Sequence, residues 1–357
     1  MSDHLNFEFD QLPARVSFGA GRLKTVRAEA KKLGGSRALV LATDRQVELA
    51  DQVSDFLGDL CVGVFTEAVQ HVPYETVKTA LKQVEALNVD LLVAPGGGST
   101  IGLAKGLVLE KPMPILAIPT TYAGSEMTHI WGISKDGRKT TGRNPIVKPS
   151  TVIYDPELIV SLPVKMSITS GINAMAHAVE ALYAQNRNPI SSLLAEESVK
   201  SLAQGLPIVA QNPADTDARA RTMYGAWLAA TVLDQVGMAL HHKLCHTLGG
   251  SFGMPHAEVH TVILPYAIAY NQTHAPEMVS SMARALGCDS ADIAGTVQDV
   301  SRQNGGPVSL RELDFKQENL SKAAEIAVQN PYYNPRPVVE ADVLKLLQSA
   351  FVGQRPS

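Results

Sequence analysis

Short apolar runs alternate with longer amphipathic stretches through the first half of the chain. Residues 37–42, Arg-Ala-Leu-Val-Leu-Ala, read as a buried strand ending at Thr43-Asp44. Residues 89–94 read as a second strand, which runs into Pro95-Gly-Gly-Gly98, and residues 114–118 as a third, which ends at Pro119-Thr-Thr121. Helical spacing over 74–87 and 99–109 separates them, the strand–helix–strand order of a parallel sheet. From about Pro163 onward the period changes. Stretches 167–183, 191–206, 217–233 and 277–286 are rich in Ala, Leu, Met and Glu at helical spacing, and no strand is expected after Ile153. Prolines at 156 and 163 bracket the change. The pattern therefore predicts an α/β domain over residues 1–160 and an all-α domain over 161–357, with the last five residues fraying.

The length supports that division, because 357 residues exceed what one hydrophobic core usually serves. Apolar residues at 45% and charged residues at 18% describe an ordinary globular protein. A net charge of −4, without a basic run, excludes an electrostatic footprint for nucleic acid. Cys61, Cys245 and Cys288 are odd in number and irregular in spacing, so a reducing cytoplasm is expected rather than a disulfide framework. The opening MSDHLNFEFD lacks the pattern of a signal peptide, and the apolar run 226–240 is broken by Asp234, so no membrane partner is expected.

Candidate chemistry begins at Pro95-Gly96-Gly97-Gly98-Ser99-Thr100, which follows a strand and opens a helix. Three glycines let backbone N–H groups approach an anion, and the helix start adds the positive end of its dipole, which suits a pyrophosphate. The pattern is neither G-x-G-x-x-G nor a Walker motif, and a structural tight turn is the alternative. Asp44, just after the first strand, can accept from both ribose hydroxyls and repel a 2′-phosphate, favouring NADH. It could equally cap a helix, and the neighbouring Arg45 leaves NADPH open. Thr120, Thr121 and Tyr122 follow the third strand, where open α/β sheets bind ligands.

Five of the ten histidines lie between 241 and 260: His241, His242, His246, His256 and His260. Such crowding points to metal ligation, proton transfer or anion binding. His242 and His246 are four apart, as are Asn173 and His177, and each pair would share a helix face. A bend at 249–253 could turn His256 back toward them. By spacing, this is a candidate divalent-metal site; histidines packed at a helix interface are the structural alternative.

Pro95-Gly-Gly-Gly-Ser-Thr100, Ala117-Ile-Pro-Thr-Thr121, Asn173-Ala-Met-Ala-His177, His242-x-x-x-His246-x-Leu-Gly249 and Pro255-His256 resemble the iron-containing alcohol dehydrogenase superfamily in order and spacing. The resemblance covers essentially the whole chain. It implies a dinucleotide-binding α/β domain, an all-helical domain, an active site in the cleft between them, and a homodimer. The family holds its metal with one aspartate and three histidines, and the matching positions are Asn173, His177, His242 and His256. The aspartate has become an amide. Losing the one anionic donor should cost at least the roughly 10- to 100-fold in affinity that outer-shell changes cost, so no tightly bound metal is expected.

Within the family, Thr120-Thr-Tyr-Ala-Gly-Ser-Glu-Met127, Gly142-Arg143 and His241-His-Lys-Leu-Cys-His-Thr-Leu-Gly249 look closest to reductases of an unsaturated dicarboxylate in aromatic-compound breakdown. Hydride addition to an enone makes a delocalised enolate, which needs less Lewis acidity than an alkoxide. His246 and His256 are the expected acid or oxyanion partners, with His177 and His242 lining the same pocket and protonated histidines supplying positive charge. Arg143, His241, Lys243 and His260, with Asn173 beside them, are candidates to hold the substrate. Lys139 could touch the cofactor ribose, and Tyr332, Tyr333 and Arg336 of an Asn-Pro-Arg signature could reach the substrate or form a structural turn. A metal-dependent alcohol or polyol dehydrogenase of the same fold and a non-catalytic nucleotide-binding protein remain as alternatives.

Overall fold

In the computed structural model, residues 14–135 and 138–356 are described. They form two compact units, one ending at Ser161 and the other beginning at Leu162. The N-terminal expectation about a leader segment falls on residues outside those described.

The first unit is built on a six-stranded parallel sheet. Its strands are β1 (Arg15–Phe18), β2 (Ala38–Leu41), β3 (Cys61–Phe65), β4 (Leu91–Gly96), β5 (Ile115–Pro119) and β8 (Thr151–Tyr154), in the order β1-β8-β5-β4-β2-β3. β2, β4 and β5 are fully buried, as their continuous Val/Leu/Ile runs require of strands covered on both faces. Helices α1 (Val26–Lys32), α2 (Val47–Leu57), α3 (Tyr74–Ala86) and α4 (Gly98–Glu110) alternate with them. Val26, Val40, Val93, Leu116, Ile118 and Ile153 share one core cluster. The chain leaves β2 toward one edge and leaves β4 toward the other. The crevice between these two strands is therefore the topological switch point at which open α/β sheets bind ligands.

Three central strands are where the apolar runs predict them. β1, β3 and an antiparallel hairpin, β6 (Ile130–Lys135) with β7 (Arg138–Arg143), carry no such signal. β3 contains Gly63 and lies at the sheet edge, and β7 is polar along its length, so neither offers a buried run to read. Lys105 is the one cation within α4. It is buried and donates through Nζ to the carbonyls of Thr128 (2.9 Å) and Ile130 (2.7 Å), tying the helix to the start of the hairpin.

The second unit is helical: α5 (Val164–Ala181), α6 (Pro189–Gln211), α7 (Thr216–Gln235), α8 (Leu240–Phe252), α9 (His256–Asn271), α10 (Pro276–Leu286), α11 (Ile293–Gln303), α12 (Leu320–Ala327) and α13 (Glu340–Val352). Leu244, Leu248, Val259, Val262, Ile263, Leu320 and Leu347 form the core around α8 and α9. Gln354 and Arg355, within the segment expected to fray, are held by contacts. Arg355 pairs with Asp292 (2.7 Å) and Asp299 (2.8 Å), and the Gln354 carbonyl accepts from the Tyr266 hydroxyl at 2.9 Å. Among the described residues, no helix is long and apolar enough to cross a membrane.

Candidate active site

In the sheet unit, the glycine loop lies where β4 becomes α4. Gly96 has φ +154°, and a Cβ there would collide with Thr100 Oγ1 and stand 2.8 Å from Gln46 Oε1. Gly97 is the N-cap and supplies no side-chain cap, so the first amides of α4 are left for an outside acceptor. Gln46, in the loop after β2, donates to Thr120 Oγ1 at 2.9 Å, and the Thr120 amide donates to the Gly96 carbonyl at 3.1 Å. The loops after β2, β4 and β5 are thus joined at one end of the sheet. Asp44 is exposed in the first of them, Gly98 and Ser99 open α4, Thr100 is buried, and Thr121 lies against Gly97. Tyr122 is buried immediately after.

Lys139 and Arg143 are exposed on β7; Arg143 Nη1 is 3.5 Å from His129 Nε2. The sequence reading assigned no role to a buried network beside the β5 loop. Tyr154 donates to Glu126 Oε1 at 2.8 Å, and burial raises the pKa of both groups, the nearby glutamate adding to the effect on the tyrosine.

In the helical unit, Asn173 and His177 lie one turn apart on α5, nearly fully buried. The turn between α8 and α9 is made by Gly253 (φ +67°), Met254 and Pro255, whereas Gly249 and Gly250, expected in the bend, remain helical. That turn brings α9 back against α8. The His177 and His242 rings stack at 5.2 Å and 30°, His242 and His260 lie 5.0 Å apart, and His256 and His260 are 4.4 Å apart. His246, one turn beyond His242, is 6.0 Å from it. Asn173, His177, His242, His256 and His260 are therefore gathered, with His246 at the margin.

The cluster divides by exposure. His246 and His256 are exposed; His177, His241, His242 and His260 are buried. Burial, reinforced by neighbouring imidazoles, drives the pKa of His177, His241 and His260 well below the ordinary value, so all three are neutral near pH 7. This is not the set of protonated histidines anticipated from the sequence. His241 and His260 were also expected to hold carboxylates, yet both are fully buried and His241 Nε2 is 2.9 Å from His260 Nδ1, so each engages the other. Lys243 lies over the Tyr332 ring at 5.7 Å. Arg336 pairs with Asp342 at 2.7 Å and stacks on Tyr270 at 4.1 Å, while Asn334 and Asn271 bond reciprocally. These contacts hold the Asn-Pro-Arg turn against α9 and α13.

Sequence reasoning missed Glu180. The residue is fully buried on α5, where its Oε2 is 2.7 Å from His242 Nδ1. A lone acidic side chain in the apolar stretch after His177 was the available signal.

The donor set around Asn173 offers a divalent cation no anionic ligand. Asn173 Oδ1, His177 Nδ1 and His242 Nε2 are buried with no hydrogen-bond partner among the described residues, so they can meet a polar ligand, but none belongs to a carboxylate. Glu180 commits both oxygens to other donors. A second trio, His241, Cys245 and His260, has ligand atoms within 4.8 Å of one another, but burial raises the Cys245 pKa and so holds it as a thiol, and its imidazoles bond each other.

The buried neutral histidines have a consequence for stability. In the unfolded chain each takes up a proton near pH about 6.5; in the folded chain each does so only well below that. Over that window the unfolded state binds more protons. Their contribution is fully present above about pH 6.5 and is lost as pH falls toward the folded pKa values. Tm should therefore drop between about pH 7 and about pH 5; a Tm constant over that interval would contradict the assignment.

A glycine-cradled loop at the switch point of a parallel sheet, together with a histidine cluster in a helical unit, defines a dehydrogenase-type enzyme, and the chain belongs to the iron-containing alcohol dehydrogenase family. The family's profile, iron-containing alcohol dehydrogenase, matches residues 13–156, and that of the Fe-containing alcohol dehydrogenase family, C-terminal, matches residues 167–351. Similarity is high to maleylacetate reductases of Sphingobium indicum, 50% identical with 99% of each chain covered, and Burkholderia cepacia, 49% identical with 98% of this chain and 99% of that one covered. The crystal structure of maleylacetate reductase from a Rhizobium species superposes with a TM-score of 0.95 at 48% identity, covering 98% of this chain and 99% of that one.

Proposed function

We propose that the chain reduces the carbon–carbon double bond of maleylacetate to 3-oxoadipate, with NADH as hydride donor and without a tightly bound metal. The observation that carries the reading is the near-full-length similarity to maleylacetate reductases in a chain whose histidines persist around an amide, Asn173, at the family's anionic ligand position. Hydride adds to one alkene carbon, the electron pair moves into the adjacent ketone as an enolate, and a proton then closes the other carbon. Maleylacetate and NADH with one proton become 3-oxoadipate and NAD⁺.

The uncapped start of α4 and the cradle at Gly96 support pyrophosphate binding, and exposed Asp44 beside the switch point supports NADH over NADPH. Exposed His246 and His256 can exchange protons with solvent and are the proposed acids. Asn173 Oδ1, His177 Nδ1 and His242 Nε2, buried and without a hydrogen-bond partner among the described residues, supply polar contacts for the reactant. Because the enolate charge is delocalised, hydrogen bonds suffice for it.

The test is NADH oxidation with maleylacetate, with and without prior chelator treatment. The expected result is full activity after chelation. Near-stoichiometric iron or zinc in active, chelator-washed enzyme, or turnover of simple alcohols only after iron or zinc is added, would replace this reading with a metal-dependent alcohol dehydrogenase.

A further inference from the structure

Glu180 gathers four donors around one buried carboxylate. Oε1 accepts from the His241 amide at 2.7 Å and the Tyr183 hydroxyl at 3.2 Å; Oε2 accepts from the Ala239 amide at 2.8 Å and lies 2.7 Å from His242 Nδ1. Two of these are backbone groups at the start of α8. Ala239, its N-cap, has no side chain able to cap, so Glu180 satisfies the helix from a distant position on α5. A negative charge at this end also meets the positive end of the helix dipole. The His242 interaction is different in kind. An acceptor already engaged by donors can receive only a proton-bearing nitrogen, so Nδ1 must carry the hydrogen and Nε2 the lone pair. Nε2 is the buried ring atom with no partner among the described residues, and the ring is stacked on His177.

We propose that Glu180 is a positioning residue that anchors the start of α8 and locks His242 in the Nδ1–H tautomer, presenting Nε2 to the reactant. The catalytic part rests on the proposed reduction of maleylacetate; the tautomer itself does not. Both duties meet at Oε2, while Oε1 serves the helix start and Tyr183. Glutamine at 180 keeps the size and retains an oxygen for the His241 amide, but its NH₂, standing in place of Oε2, would face Nδ1 and move the ring proton to Nε2, at the cost of the Ala239 contact.

The experiment measures ring-nitrogen shifts of His242 in ¹⁵N-histidine-labelled full-length enzyme, assigned by loss of the signal in His242→Gln, alongside the kinetics of Glu180→Gln. In the unsubstituted enzyme His242 should show a protonated Nδ1 and a bare Nε2, with the pattern reversed in Glu180→Gln. In that variant kcat should fall roughly 10- to 100-fold, as for other residues that orient a functional histidine, with KM for maleylacetate and NADH affinity changed far less. An Nε2–H tautomer in the unsubstituted enzyme would overturn the proposal, and this measurement requires neither turnover nor a folded Glu180→Gln variant. A Glu180→Gln enzyme with a lowered Tm but unchanged kcat would also overturn it, leaving only a helix anchor. Absence of maleylacetate reduction in the unsubstituted enzyme, with the Nδ1–H tautomer present, would instead refute the proposed function and leave the tautomer lock in place.

Discussion

A His256→Ala variant is expected to lose about 10²- to 10⁴-fold in kcat while binding NADH normally, the range typical of a removed general acid. Protonation at carbon needs a group that reaches the reactant and regains its proton from water at each turnover. His177, His241 and His260 are poorly suited, because burial keeps them neutral. His242 is buried against Glu180. His256 differs. It is exposed at the first position of α9 and close to the His260 ring, so one side meets the cluster and the other meets solvent. His246 shares the exposure but its ring stands farther from the buried rings, 6.0 Å from His242. Its alanine variant should therefore be the milder of the two. Steady-state NADH oxidation with maleylacetate measures both, and an unchanged kcat in His256→Ala would remove that residue from the chemistry.

The second large effect is expected at the glycine loop. In Gly96→Ala, NADH should bind roughly 100-fold more weakly, read by titrating the change in nicotinamide fluorescence. The backbone at Gly96, φ +154°, is one that side chains rarely adopt, and a Cβ would press on buried Thr100 and on Gln46. Strain of this kind costs about 1–3 kcal/mol, and each 1.4 kcal/mol or so is tenfold in affinity, so the upper end corresponds to about 100-fold. Relief would require moving Gln46, which also bonds Thr120, and the loops after β2, β4 and β5 would shift together. Gly98, whose added Cβ meets open space, provides the comparison: Gly98→Ala should be much milder. Equal affinities in the two variants would show that Gly96 is not the constraint.

The parallel sheet and its glycine loop were legible because buried strands announce themselves as unbroken apolar runs, and the loop as consecutive glycines between strand and helix. The helical unit was legible from its period. Edge strand β3 and the hairpin were not, because β3 is a short run broken by Gly63 and only partly buried, and β7 is polar along its length. The site was partly legible. Spacing on α5 and α8 paired Asn173 with His177 and His242 with His246, and helix geometry requires little more than that. The resemblance added His256.

What the chain determined by itself is therefore its periodic and local content: the two kinds of unit, the phosphate-type loop, the inventory of histidines, and the amide at position 173. What the tertiary structure decided is the solvent access and the neighbours of each member. Five histidines within twenty residues look alike as letters, but the fold of α8 and α9 buries His241, His242 and His260 and leaves His246 and His256 exposed. Protonation depends on that solvent access and on which partners are near, and both are set by contacts between residues far apart in sequence. Glu180, sixty-two positions before His242, is the clearest case. Its carboxylate acquires meaning only when α5 and the start of α8 pack side by side.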